Sequence, residues 1–133
     1  MANNGNNYCF ACGKKNPIGL HLNFEFVDDV LTAKKTLTKE YQGFDNIAHG
    51  GIVATLLDEA MGNYIIQKYN EQAVTGRIAV RYHHPTPIGE ELTITSKPES
   101  QRRNIISMTS KITAADGTVT AEATAKFVVV SLK

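Results

Sequence analysis

Residues 50–68 read GGIVATLLDEAMGNYIIQK and form the one convincing helical pattern in the chain. Their apolar side chains recur at spacings of three and four, the period of an α-helix. They are Ile52, Val53, Leu56, Leu57, Ala60, Met61, Tyr64 and Ile65. Because these residues cover more than one narrow stripe, we predict a long, mostly buried helix, which the pair Tyr69-Asn70 ends.

The segments on both sides of this helix alternate apolar and polar residues, the pattern of strands with one buried face. We predict strands at residues 20–26, 31–37, 74–82, 92–96, 106–112 and 119–130. The last strand places Ala121, Ala123 and Ala125 on one face, which leaves room for the helix to approach closely. The order contains no βαβ repeat. The sequence therefore predicts an α+β fold, with one long helix wrapped by a six-stranded, mainly antiparallel sheet.

Length and charge limit the classes of function. The chain has 133 residues, of which 14 are Lys or Arg and 13 are Asp or Glu. We therefore expect one domain at residues 20–133, preceded by an N-terminal arm at residues 1–19. The near balance of charge argues against a nucleic-acid or membrane-surface partner, and no apolar run is long enough to span a membrane. Residues 1–7 are polar and unlike a secretory signal, so we expect a cytoplasmic protein.

The helix is preceded by His49 and begins with Gly50 and Gly51. The first N–H groups of a helix have no intrahelical partner and lie at the positive end of its dipole. Glycine lets a substrate oxygen approach them, so this start can polarise a carbonyl and stabilise an oxyanion. The alternative is structural, because two glycines also allow a tight turn into a helix that His49 caps.

Asp58 is the candidate acid or base. On a helical projection centred on Leu57, it lies on the shoulder of the apolar face, where a carboxylate is partly desolvated and suited to base catalysis. A structural carboxylate is the alternative. Glu59 points nearly away from the apolar centre, so we expect it in solvent or at an interface.

The two cysteines, Cys9 and Cys12, have the spacing of a zinc knuckle but lack a second Cys or His pair, so we expect two reduced, packed thiols and no metal. His83 and His84 are neighbours on a predicted strand and point to opposite faces, which excludes joint chelation. Arg102 and Arg103 are expected at a solvated turn. The sequence has no nucleophile elbow, phosphate loop or dinucleotide fingerprint.

Residues 49–62, HGGIVATLLDEAMG, resemble the signature of the hotdog-fold acyl-CoA thioesterases, in the phenylacetate-degradation-type branch. The opening of the chain, CFACGKKNPIGL at residues 9–20, is similar to that of many members. YQGF at 41–44, TGR at 75–77 and PTPIGE at 85–90 also match. The chain departs from the family at Asp45-Asn46, where many relatives have Pro-Gly. Asn tolerates a left-handed turn, so the loop can keep its shape.

The resemblance implies a site that needs no metal or cofactor. In it Asp58 acts as general base or as nucleophile, and the Gly50 N–H binds the thioester oxygen. His49 and Gly51 shape this oxyanion site, Thr75 helps to place the water, and Gln42 lies near the thioester. The resemblance also implies that sites lie between subunits, with Asp58 and Gly50 contributed by different chains of a dimer.

The sequence is thus interpreted as a homodimer or dimer of dimers that hydrolyses an acyl-CoA to free acid and CoA. A non-catalytic protein that binds an acyl or aromatic ligand in the same pocket is the alternative. A dehydratase of the same fold is a third class, but it relies on a differently arranged Asp/His pair, whereas His49 here precedes the glycines.

Overall fold

A computed structural model describes residues 8–130. The polar segment 1–7, most of the arm's first half, lies outside the described residues, as do residues 131–133. The helix, α1, spans Gly50–Tyr69 and ends at Asn70, which adopts the left-handed conformation with φ 53°. Its buried side chains are Val53, Leu56, Leu57, Ala60, Met61, Asn63, Tyr64 and Ile65. Among the described helices, none combines the length and the apolar character needed to span a bilayer.

Six antiparallel strands form one sheet in the order β1-β2-β4-β5-β6-β3. Their bounds are Glu25–Val27 for β1, Val30–Thr36 for β2, Gln72–Tyr82 for β3, Glu91–Arg102 for β4, Ile105–Thr113 for β5 and Val119–Val130 for β6. The predicted α+β fold, with one long helix packed against a six-stranded antiparallel sheet, is confirmed, and a short 3-10 helix, Lys39–Tyr41, precedes α1. Strand β3, which directly follows the helix, is placed at one edge of the sheet and strand β1 at the other.

Small side chains let the helix lie close to the sheet. The three alanines of β6 are buried, and a Cβ added to Gly62 of α1 would lie 3.6 Å from the ring of Phe127 on that strand. Two buried hydroxyls also connect the layers. Ser96 of β4 donates to the Ala60 carbonyl at 2.6 Å, and Ser110 of β5 donates to the Leu57 carbonyl at 3.1 Å.

The first predicted strand, residues 20–26, is wrong in its extent, since only Glu25–Val27 pairs with β2. Leu20 and Leu22 are buried as the alternation predicts, but they bond to the arm instead. Their N–H groups donate to the carbonyls of Phe10 and Ala11, both at 2.8 Å. A Cβ on Gly19 would lie 2.8 Å from the Phe10 oxygen, so glycine permits this close approach.

Strand β4 continues six residues past the predicted end at Ser96 and includes Pro98, which was expected beyond it. Pro98 is tolerated inside the strand because β2 pairs with β4 only from Glu91 to Ser96. Beyond Ser96, β4 has a neighbouring strand on one side only. A bulge between Pro98 and Ser100 interrupts the ladder where proline has no N–H to donate.

Candidate functional site

The start of α1 exposes one unpaired backbone donor. His49 caps the helix, and its ring Nδ1 accepts a hydrogen bond from the Gly51 N–H at 2.9 Å. The N–H groups of Ile52 and Val53 both bond to the His49 carbonyl. Among residues 8–130, no group accepts the N–H of Gly50. Of the two glycines that the sequence singled out, Gly50 alone therefore offers a free oxyanion donor, and His49 and Gly51 shape its surroundings.

Strand β3 supports this helix start from the sheet side. The hydroxyl of Tyr82 donates to the Gly50 carbonyl at 2.7 Å. The sequence placed Tyr82 on a strand face but did not identify it as part of the site. A depression of about 290 Å³ lies beside this contact, lined in part by Gly50, Val53, Tyr82 and Pro85.

Asp58 lies two turns further along α1, half-buried as its shoulder position predicts. The hydroxyl of Thr75 donates to Asp58 Oδ1 at 2.8 Å. The structure thus brings together two of the residues that the resemblance singled out. A carboxylate held by one hydroxyl, with its second oxygen available, is equipped to accept a proton from water or to attack a carbonyl.

A bulge in β3 makes this contact possible. Thr75 pairs with Phe127, whereas Arg77 pairs with Lys126, so Gly76 is an extra residue in the strand. Phe127 is buried against the helix, and Thr75 therefore shares its face. Strict alternation from Ile78 would have turned Thr75 to the outer face of the sheet. The glycine inside the strand pattern is the sequence signal for the bulge.

Gln42 lies on the loop before the helix and joins His49 at a second depression of about 430 Å³. Its side-chain oxygen accepts the N–H of Asn46 at 3.2 Å. Asn46 has φ 66°, so the left-handed turn expected at this departure from the family pattern is present. The structure does not place Gln42 in contact with Asp58 or Thr75.

The position expected for Glu59, in solvent or at an interface, is wrong for the single chain, because the N-terminal arm covers this side of α1. Glu59 is half-buried, and Cys9 Sγ lies 3.8 Å from both of its carboxylate oxygens. Burial raises the pKa of the Glu59 carboxyl, and the Asp58 charge adds to the rise, while hydrogen bonds from Cys12, Asn63 and Cys9 oppose it. Burial and the Glu59 charge raise the pKa of the Cys12 thiol.

Two further predictions concerned the histidine pair after β3 and the arginine pair between β4 and β5. His83 and His84 follow the end of β3 instead of lying within it, and His83 Nε2 lies 2.8 Å from Glu122 Oε2. Of the two arginines expected at a solvated turn, Arg103 lies at the turn between β4 and β5 with φ 59°, whereas Arg102 is the last residue of β4, and both are exposed.

Comparison with known proteins gives the family. The family model of the thioesterase superfamily matches residues 45–121, which include the helix and its glycines. A crystal structure of a thioesterase superfamily protein is 32% identical, with a TM-score of 0.85. That match covers 92% of this chain, and the chain spans 60% of that protein's length. A search of curated protein sequences returns no match.

Two more distant structures share the fold. A hypothetical thioesterase from Streptococcus pneumoniae, solved with coenzyme A, has a TM-score of 0.75 at 22% identity, covering 83% of this chain and 86% of that one. Thioesterase superfamily member 2 from Mus musculus has a TM-score of 0.72 at 19% identity, covering 83% and 88%. With its helix, its six-stranded antiparallel sheet and its matched central segment, this chain adopts the hotdog fold and belongs to the thioesterase superfamily.

Proposed function

We propose that the protein is an acyl-CoA thioesterase that hydrolyses an acyl-CoA to free acid and CoA. The observation that carries the proposal is the hydrogen bond from Thr75 to Asp58, which orients a half-buried carboxylate beside the edge strand. The unpaired N–H of Gly50 is the second element of the chemistry. The acyl-CoA class is supported by two proteins of the same fold, crystallised with coenzyme A and with acetyl CoA.

The Asp58 carboxylate and the Gly50 N–H that act on one thioester would come from different subunits. Gly50 and Asp58 are eight residues apart on one helix, so about 12 Å separates them along its axis. This distance exceeds hydrogen-bond reach from a single carbonyl group, which supports a site completed by a second copy of the chain. In a two-fold dimer, each helix then serves both sites, with its first turn in one and its third turn in the other.

In the general-base form of the reaction, Asp58 accepts a proton from water while the water oxygen attacks the thioester carbon. The carbonyl oxygen becomes an oxyanion that the Gly50 N–H stabilises. The intermediate collapses with cleavage of the C–S bond, and the proton on Asp58 passes to the CoA sulfur. Thr75 holds the carboxylate through one oxygen and leaves the other free for the water.

In the nucleophilic form, an Asp58 oxygen attacks the thioester carbon, CoA leaves and water hydrolyses the mixed anhydride. A single turnover in heavy-oxygen water identifies the nucleophilic form when water attacks the anhydride at the Asp58 carbonyl. The general-base reaction places the label in the product acid. Attack of water at the Asp58 carbonyl of the anhydride places it in the enzyme.

The test of the proposal is hydrolysis of short, long and aromatic acyl-CoAs by the purified protein, followed through free thiol, together with Asp58→Asn. We expect turnover with at least one class and a loss of about a hundredfold or more in kcat for the variant, at an unchanged Tm. Asp28→Asn, in an exposed turn, is the matched control. Binding of acyl-CoA without hydrolysis would favour a ligand-binding protein, and normal turnover by Asp58→Asn would remove Asp58 from the chemistry.

A further inference from the structure

A second chemical cluster lies where the N-terminal arm crosses α1, on a side of the helix that the proposed reaction does not use. Cys9, Cys12 and Glu59 each direct one ligand atom into it, and these atoms lie within 4.8 Å of one another. We propose that these three residues bind a zinc ion that fastens the arm to the helix.

The arm holds its two cysteines in place through backbone contacts. The Gly13 N–H donates to the Cys9 carbonyl at 2.9 Å and closes a turn around both thiols. The hydrogen bonds from Leu20 and Leu22 to the same turn keep it against the core. The turn is therefore formed by the chain itself, and a metal would join a preformed pair of thiols to a carboxylate 50 residues away.

The spacing of the ligand atoms suits zinc. Zinc lies about 2.3 Å from a cysteine sulfur and about 2.0–2.2 Å from a carboxylate oxygen, which places ligands of a tetrahedral site roughly 3.3–3.8 Å apart. Cys9 Sγ already lies 3.8 Å from the Glu59 oxygens. A movement of about 1 Å brings the widest pair within range. With three protein ligands, water would supply the fourth.

The charges at the cluster also favour a cation. No Lys, Arg or His in residues 8–130 forms an ion pair with Glu59, although its carboxylate is half-buried and next to Asp58. A half-buried carboxylate whose hydrogen bonds come only from neutral donors is costly to keep charged, and a divalent cation would offset its charge together with those of two thiolates. Two thiolates select zinc over calcium or magnesium, which prefer oxygen.

Asn63 gives independent support for a bound ion at this cluster. Its amide Nδ2 donates to Glu59 Oε2, the kind of outer contact that orients metal-binding carboxylates. The Oδ1 of the same amide is buried and has no hydrogen-bond partner among the described residues. A buried polar atom without a partner, on the amide that also holds Glu59, indicates room for a further polar occupant near this carboxylate.

The expectation of two packed thiols without metal considered only Cys and His as ligands. Glu59 is distant in sequence, and the chain path of the arm brings it to the cysteines. A zinc ion here would tie residues 9–12 to the helix one position from Asp58.

The test uses the untagged full chain, reduced and stripped of metal, titrated with Co²⁺ and then with Zn²⁺. We expect one Co²⁺ per chain, with the visible bands of a tetrahedral site and a thiolate charge-transfer band. We expect Zn²⁺ to displace Co²⁺ and to raise Tm. Substoichiometric binding, or a spectrum without the thiolate band, would overturn the proposal whatever the variants show.

Three variants assign the ligands. Cys9→Ser and Cys12→Ser should each lose about half of the charge-transfer band or more, and Glu59→Gln should weaken Zn²⁺ binding by about tenfold or more. Glu90→Gln, in an exposed turn, makes the same change of charge and should bind like wild type. Wild-type affinity for Zn²⁺ in Cys9→Ser, Cys12→Ser or Glu59→Gln contradicts the proposed ligand set. Because the readout is metal binding, the result is independent of thioesterase activity.

Discussion

The hydroxyl of Thr75 lies 2.8 Å from Asp58 Oδ1, although an unbroken strand would turn Thr75 away from the helix. The extra residue Gly76 reverses the alternation between Arg77 and Thr75, and it carries Thr75 to the face that β6 presents to α1. The contact between strand and helix therefore depends on a single additional residue.

The role of the Thr75 hydroxyl in the reaction can be tested separately from the packing of the side chain. We expect Thr75→Val to keep the packing but to lower kcat on the order of tenfold, since it removes a hydrogen bond to a charged group. Thr75→Ser should retain most of the activity. Thr124→Val, on an exposed position of β6, is the control for the same change. Steady-state kinetics with unchanged kcat in Thr75→Val would show that the contact only supports the fold.

The free N–H of Gly50 predicts a separation of activity from stability. A Cβ at Gly50 would lie 3.6 Å from the Tyr82 hydroxyl, an ordinary contact, and Ala is the better helix former. We expect Gly50→Ala to melt near the wild-type temperature. Its kcat should fall by about a hundredfold, as when an oxyanion donor is obstructed.

Gly51→Ala is the matched comparison. Its Cβ would lie 3.2 Å from His49 Nδ1 and disturb the cap, so we expect it to lose about 1 kcal/mol of stability. If Gly50→Ala unfolds while its folded fraction turns over normally, Gly50 serves the turn into the helix and not the reaction.

A shared site predicts complementation between inactive chains. In a dimer of one Asp58→Asn chain and one Gly50→Ala chain, one site carries both substitutions and the other carries neither. Random mixing of equal amounts then gives heterodimers in half of the molecules, and about a quarter of wild-type activity. Activity assays after co-refolding test this. No recovery in mixtures shown to contain heterodimers would place each site within one chain.

The edge strand β3 predicts the dimer itself. Val74 and Tyr82 are more than half exposed on this strand, and its outer backbone groups have no neighbouring strand within residues 8–130. Pairing two such edges would form a continuous sheet and cover these side chains. We expect light scattering at micromolar concentration to give a dimer, and Ile78→Lys to shift it towards monomer. Val27→Lys, on the opposite edge, should leave the dimer intact, and a monomeric wild type would contradict the prediction.

The sequence allowed prediction of the elements whose cause is local. The helix bounds differ by one residue from the prediction, because the 3.6-residue period and Asn70 are both visible in the sequence. The half-buried position of Asp58 and the left-handed Asn46 also follow from local pattern, whereas the roles of Asp58 and Gly50 in a reaction stay predictions. The extent of β1 was not predictable, because Leu20 and Leu22 take their partners from the arm.

The contacts that the sequence did not predict also depend on segments that are distant along the chain. Neither the approach of Cys9 to Glu59 nor that of Tyr82 to Gly50 leaves a signal in residue spacing, since each depends on where a distant segment crosses α1. Gly76 did leave a signal, a glycine within a strand pattern, but alternation alone cannot show on which side of it the register changes.

The two buried serines fix the position of the helix along the sheet. Ser96 and Ser110 are directly opposite each other on neighbouring strands, and they bond to carbonyls three residues apart on α1. Sliding the helix by one residue would break both bonds inside the core. The location of Gly50 and Asp58 along the sheet is thus set from the middle of the molecule and not by the loops at either end of α1.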